Sequence, residues 1–190
     1  ANIRPDLAIK SIDGCLWTDN SGNSWLNPYD ERSWKYPVKI AEVAACKGFK
    51  EIQFDYIRFP TDGKRELIDY GNTGNKPMAE AIGEFLKYAS GTLEPLGVNV
   101  SADIFGIVTT EEEDIGIGQH LETIAKNVDI ISPMVYPSHY SMGSYGVMYP
   151  DSEPYKIIYK SLYTAKSRIE KIESKEKAAA IRPWLQDFSA

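Results

Sequence analysis

The run EIQFDYIRF, Glu51 to Phe59, decides the fold class because its two faces differ in chemistry. Successive side chains of a strand point to opposite sides, so Ile52, Phe54 and Tyr56 share one face while Gln53, Asp55 and Ile57 share the other. One face is apolar and the other carries polar groups. Further runs repeat the division. Val98, Val100, Ala102 and Ile104 stand against Asn99, Ser101 and Asp103; Ile131 and Val135 stand against Ser132, Met134 and Tyr136; Ile181 and Leu185 stand against Arg182, Trp184 and Gln186. An open doubly wound sheet is covered by helices on both faces and reads as apolar on both. A (β/α) barrel has one helix-facing side and one lumen-facing side that accepts polar groups. The pattern predicts the barrel.

Outward from these runs the chain alternates β-rich stretches with helical spacing, the mark of βα units feeding a parallel sheet. Five strands are expected, over Leu7 to Ile12, Glu51 to Phe59, Val98 to Phe105, Val128 to Tyr136 and Ala180 to Phe188. Helices are expected over Trp34 to Lys47, with Pro37 read as its opening and Gly48 as its end, over Pro77 to Leu93, over Ile117 to Asn127 and over Pro154 to Ile172. A complete eight-stranded barrel takes about 250 residues. At 190 residues the expected architecture is therefore an incomplete (β/α) TIM-type barrel of about five βα units, one domain over residues 1–190. Both ends read as cut through a domain rather than placed at linkers. Open edge strands invite pairing, so self-association through the barrel edges is expected.

A composition of 43% hydrophobic and 25% charged residues is that of an ordinary globular domain. The net charge of -6, with lysines and arginines spread along the chain, leaves no electrostatic footprint for nucleic acid or an anionic membrane. No apolar run reaches the length of a membrane span, and the N-terminal ANIRPDLAIK lacks a signal-peptide layout, so the piece reads as mature or trimmed and soluble. Cys15 and Cys46 have neither metal-ligand spacing nor a CxxC pattern and are read as buried small hydrophobes. His120 and His139 are the only histidines and form no HxH or HExxH arrangement, and no glycine-rich nucleotide cradle is present. No cofactor and no metal are expected. The acidic run Glu111 to Asp114 lacks EF-hand spacing and reads as a solvated loop.

Barrel enzymes carry their working groups at the C-terminal ends of strands and in the loops that follow. There the second run delivers Asp55 and then Arg58; the third delivers Asp103; the fourth delivers Tyr136 and a loop with His139 and Tyr140; the fifth delivers Trp184 and Gln186. An aspartate after a strand is often only a helix cap or turn former. Two on neighbouring strand ends, each on the polar face, are also the minimum equipment for glycosidic cleavage, one as nucleophile or base and one as acid. Arg58 is read either as the cation that keeps Asp55 ionised or as half of a structural ion pair. The stretch YPSHYSMGSYGVMYP, residues 136–150, is unusually aromatic for a loop and reads as a binding wall or as a loop packed by its own rings.

The strings WLNPY, GFKEIQFDYIRFPTDG, VSADIFG, DIISPMVYPSHY, YGVMYP and IRPWLQDF, in this order, closely resemble a bacterial family of unknown function described as putative glycosyl hydrolases, distant relatives of the α-amylase-like barrels. The match spans nearly the whole chain. It implies a secreted or surface-attached barrel, a carbohydrate substrate, and further strands before and after this segment. By that resemblance Asp55 matches the strand-end aspartate used as nucleophile and Asp103 matches the acid/base on the next strand, where the relatives usually carry glutamate.

The leading expectation is a retaining glycosidase acting on a polysaccharide or cell-wall glycan. Asp55 and Asp103 are its catalytic pair, and Gln53, Arg58, Tyr136, His139, Tyr140, Trp184 and Gln186 contact substrate. The rival is a non-catalytic carbohydrate or cell-wall binding module on a degenerate barrel, in which saccharide binding survives Asp55→Asn and Asp103→Asn and is weakened by aromatic substitutions such as Trp184→Ala. A third reading makes the polar face a hydrogen-bonded core.

Overall fold

The computed structural model describes residues 1–172 and 179–188. Strands and α-helices follow in the order β1 (Lys10–Ser11), α1 (Glu31–Cys46), β2 (Glu51–Phe54), β3 (Ile68–Asp69), α2 (Met78–Leu93), β4 (Asn99–Phe105), α3 (Leu121–Ala125), β5 (Ile130–Val135), α4 (Pro154–Glu170), β6 (Ala180–Ile181) and β7 (Trp184–Leu185). The main sheet runs β2-β4-β5-β6, with β7 also on β5, and every pairing in it is parallel. β6 and β7 keep one register against β5, Ile131 opposite Ile181 and Met134 opposite Trp184. That register sets Pro133 opposite Pro183, and two residues without an N–H interrupt the ladder between the two segments. The run Ala180 to Phe188 is thus one strand position in two pieces.

The apolar face carries the core. Val100, Ala102, Ile104 and Ile131 are fully buried against Ile82, Leu86, Ala89 and Leu93 of α2 and Leu121 and Ile124 of α3. Burying a side chain of this size contributes about 1.5–3 kcal/mol. The opposite face is concave, since just past β6 Arg182 Nη1 donates to Glu51 Oε2 on β2 at 2.8 Å, joining strands that lie three places apart. Among the described residues the outer edge of β2 has no strand partner, and the sheet does not close.

Several expectations are corrected. Leu7 to Ile12 does not enter the parallel sheet: Ile9 N donates to Trp25 O at 2.9 Å and Ile9 O accepts from Trp17 N at 3.1 Å, so local partners take its backbone. β1 pairs instead with β3, antiparallel. Among the described residues the main sheet therefore has four strand positions rather than the expected five. Helix α1 starts at Glu31, capped by Asp30, whose side chain accepts from Arg32 N, and Pro37 lies inside it rather than at its opening. Helix α3 is shorter than expected because Gly116 (φ 70) and Gly118 (φ 78) hold the preceding turn in left-handed backbone. His120 is its N-cap residue, accepting from Thr123 N. Cys15 and Cys46 are exposed free thiols rather than buried.

Candidate active site

The concave face ends in a cavity of about 490 Å³ at the C-terminal ends of β2, β4 and β5. Asp55, Arg58, Asp103, Tyr136, His139 and Tyr140 all line it. Register explains the first pairing. β2 and β4 are aligned through Phe54 opposite Ala102, and one step on stand Asp55 and Asp103.

Past Asp55 the strand pattern breaks. Tyr56 adopts φ 55, a left-handed conformation costly for a tyrosine, and Asp55 Oδ1 accepts from Tyr56 N at 2.6 Å. The turn reverses the expected faces: Ile57 goes into the core while Tyr56 is 69% exposed and lines the cavity. Arg58 then lies under three rings, 4.9 Å from the centroid of Trp25, 5.1 Å from Tyr56 and 5.4 Å from Phe105. Its Nη1 donates to Phe59 O and Thr61 Oγ1 at 3.1 and 3.3 Å. Among the described residues it forms no ion pair with Asp55, so the expected pairing is replaced by cation–π contacts. Burial draws its guanidinium below the usual value.

Asp103 is only 7% exposed. Gln53 Nε2 donates to its Oδ1 at 2.5 Å and Trp184 Nε1 donates to the same oxygen at 3.0 Å. Burial pushes the Asp103 carboxyl above the ordinary aspartate value; the bonds from Trp184 and Gln53 oppose this, the charge of Asp55 adds to it, and Arg182 opposes it. Tyr136 is likewise raised by burial and by the charges of Asp103 and Asp55, so its hydroxyl stays protonated. The Tyr136 ring meets His139 edge-on at 5.3 Å and Phe188 at 5.4 Å.

Gln53 and Trp184 thus reach the site through Asp103. Gln186 does not reach it: its Oε1 accepts from Ser138 N at 3.1 Å and its Nε2 donates to Phe188 O, which ties down the loop after β5. Tyr140 lines the cavity with its ring, but its hydroxyl bonds Ser161 Oγ at 2.9 Å and the ring packs on Tyr145 at 5.6 Å. This part of the aromatic loop is packed by its own rings. A residue that sequence reasoning missed is Gln119, 1% exposed, whose Nε2 donates to Ile57 O and Asp103 O at 3.3 and 3.4 Å while its Oε1 accepts from Phe105 N at 3.0 Å. It stitches the diverging ends of β2 and β4. Among the described residues no group of three His, Cys, Asp or Glu side chains is placed to hold a metal.

No curated protein matches the chain. Among solved structures the fold is similar to the PgaB (BpsB) glycoside hydrolase domain from Bordetella bronchiseptica, with TM-score 0.54 and 12% identity over 80% of this chain and 51% of that one. It is also similar to the spore cortex-lytic enzyme SleL of Bacillus megaterium QM B1551, with TM-score 0.51 and 17% identity over 83% of this chain and 30% of that one. A hypothetical protein from Ruminiclostridium thermocellum is 48% identical over 54% of this chain and 50% of that one, with TM-score 0.48. The chain spans about half or less of the length of these structures. A family model matches residues 1–190 from end to end, and the chain belongs to that family, described as "putative glycosyl hydrolase domain".

Proposed function

We propose that this domain hydrolyses glycosidic bonds of a polysaccharide or cell-wall glycan with retention of configuration, Asp55 acting as nucleophile and Asp103 as general acid/base. The observation that carries the reading is a pair of carboxyl groups in unlike environments opening into one aromatic-walled cavity: Asp55 exposed at its strand end, Asp103 buried and raised. Environments that push two carboxyls apart are how one site holds an acid beside a carboxylate at the same pH. Retention requires the two carboxyls about 5–5.5 Å apart, a separation that side chains one step past a paired register on neighbouring strands, spaced about 4.8 Å, can adopt. Tyr136, His139 and Trp184 supply rings for the flat CH faces of a sugar.

The reading includes a (β/α) TIM-type barrel of which the parallel sheet is part, with the unpaired outer edge of β2 as the place where a further strand or a second chain would add. It also includes action outside the cell or at its surface, in keeping with a cell-wall substrate. No helix among the described residues is long and apolar enough to cross a membrane.

The test is reducing-end release from a panel of neutral polysaccharides and bacterial cell-wall glycans, with the anomer formed first read by NMR. Wild-type protein is expected to give the retained anomer. Asp55→Asn and Asp103→Asn are each expected to lower turnover at least about a hundredfold with the fold intact. The inverted anomer would sink the retaining mechanism. Saccharide binding without turnover, unaffected by either change and weakened by Trp184→Ala, would make the domain a binding module.

A further inference from the structure

Two side chains from different strands converge on one atom. Gln53 Nε2, on β2, and Trp184 Nε1, on β7, both donate to Asp103 Oδ1, at 2.5 and 3.0 Å. The indole nitrogen has an N–H and nothing with which to accept, so the direction of that bond is fixed. An oxygen that accepts two N–H bonds has both lone-pair directions occupied and cannot take a proton without losing one of them. Among the described residues nothing donates to Oδ2. The two oxygens of Asp103 are therefore not equivalent.

We propose that Asp103 carries its proton on Oδ2, and that Gln53 and Trp184 are positioning residues that hold Oδ1 as the permanent acceptor and leave Oδ2 to the cavity. The proposal rests on the reading of Asp103 as general acid/base and names the atom that does the work. In the first half-reaction the Oδ2–H bond breaks as the glycosidic oxygen takes the proton. The C–O bonding pair leaves with that oxygen as an alcohol, and the Asp55 carboxylate bonds to the sugar carbon. In the second, water adds to that carbon, its proton returns to Oδ2, and Asp55 leaves as a carboxylate. Oδ1 keeps the same two donors in both halves, so the acid can lose and regain its proton without rearranging its supports.

Trp184 matters here for its nitrogen as well as its ring. The ring is about half exposed, yet its one polar atom is committed to Asp103, so it offers a sugar its face and not its N–H. The groups that face Asp103 from the surrounding elements are Asp55 after β2, Arg182 after β6 and Tyr136 after β5, with Arg58 and His139 in the same cavity. Burial and Asp55 favour the acid; Trp184, Gln53 and Arg182 favour the carboxylate. Removing either donor shifts that balance toward the acid.

The test uses Trp184→Phe, which keeps a ring and removes the N–H, and Gln53→Met, which keeps the length and removes the donor. Carbon-13 NMR follows the Asp103 carboxyl through its titration, with Asp103→Asn to assign the signal. Each variant is expected to raise the Asp103 midpoint by about one pH unit. The alkaline limb of kcat/KM on a cleaved glycan should move by the same amount. An unmoved midpoint in both folded variants, with only KM rising, would overturn the proposal and leave both residues as sugar contacts. Failure to cleave any glycan would remove the proposed function, while the titration would still decide whether the two donors hold Asp103.

Discussion

Arg182 and Glu51 face each other across the polar side of the sheet, Nη1 to Oε2 at 2.8 Å, from the two outermost strand positions. Ser101 Oγ also donates to Glu51 Oε1 at 2.7 Å, so the pair is part of a small network under the cavity. The Arg182 guanidinium beside Glu51 holds that carboxyl below its ordinary value of 4.5. A depressed carboxylate stabilises the fold above its ordinary value and loses that contribution as pH falls through its folded-state value. Arg182→Gln is therefore expected to lower the urea midpoint at pH 7 and to match wild type well below pH 4.5. A deficit independent of pH would mean that Arg182 acts through packing instead.

Gly106 sits where β4 gives way to the cavity floor, and there a side chain has no room. A Cβ at this position would lie 2.5 Å from Tyr140 Oη and 2.6 Å from the Met134 carbonyl oxygen. The carbonyl belongs to β5 and cannot yield without moving the strand. Gly106→Ala is expected to cost about 1–3 kcal/mol in urea unfolding. It should also loosen the bond between Tyr140 and Ser161, read as a change in tyrosine fluorescence or in the near-ultraviolet circular dichroism.

How much of this was legible in the sequence follows from the range of each interaction. Period-two alternation reports which face a strand residue takes, and it put Asp103 and Asp55 on the polar side. It fails one residue later, because the left-handed turn at Tyr56 is set by the tertiary contacts of Arg58 and Ile57, which exchange the exposed and buried positions. The cavity-lining places of Arg58, Tyr136 and His139 followed from strand-end logic alone. Gln186 bonds the loop after β5 and Gln119 lines the cavity for a shared reason that sequence does not disclose: a glutamine satisfying loose backbone groups reads like one awaiting a ligand. Leu7 to Ile12 has strand composition, and only its tertiary partners, Trp17 and Trp25 for Ile9 and β3 for β1, disclose a separate antiparallel unit.

Arg168 of α4 holds the loop that forms the cavity floor. It donates to both oxygens of Glu122, at 2.7 and 2.6 Å, and to the carbonyls of Val108, Thr109 and Glu111 at 3.0, 3.2 and 2.6 Å. Its side chain is largely buried. Arg168→Ala would leave Glu122 and three carbonyls without this donor, an expected loss of about 2–4 kcal/mol in unfolding free energy. Arg168→Lys should recover little of it, since an ammonium cannot span a bidentate carboxylate and the carbonyls together. Near-complete recovery by lysine would reduce the clamp to a simple charge contact.

Asp103→Asn separates catalysis from stability. The asparagine carbonyl can still accept from Gln53 and Trp184, so the geometry of the supports should survive. Because burial raises the folded-state value of Asp103 above the ordinary 3.8, the folded chain binds the proton more tightly than the unfolded one across that window. Stability attributable to this group is present below 3.8 and is lost as pH rises through the raised value. A neutral side chain escapes that loss. Asp103→Asn is expected to be as stable as wild type or more so at pH 7, with the advantage shrinking toward pH 3, while turnover falls steeply. Urea midpoints at the two pH values check the first part and reducing-end release the second. A variant less stable at pH 7 would show that the two donors require the charge of the carboxylate, and that Asp103 is a structural anion rather than a proton carrier.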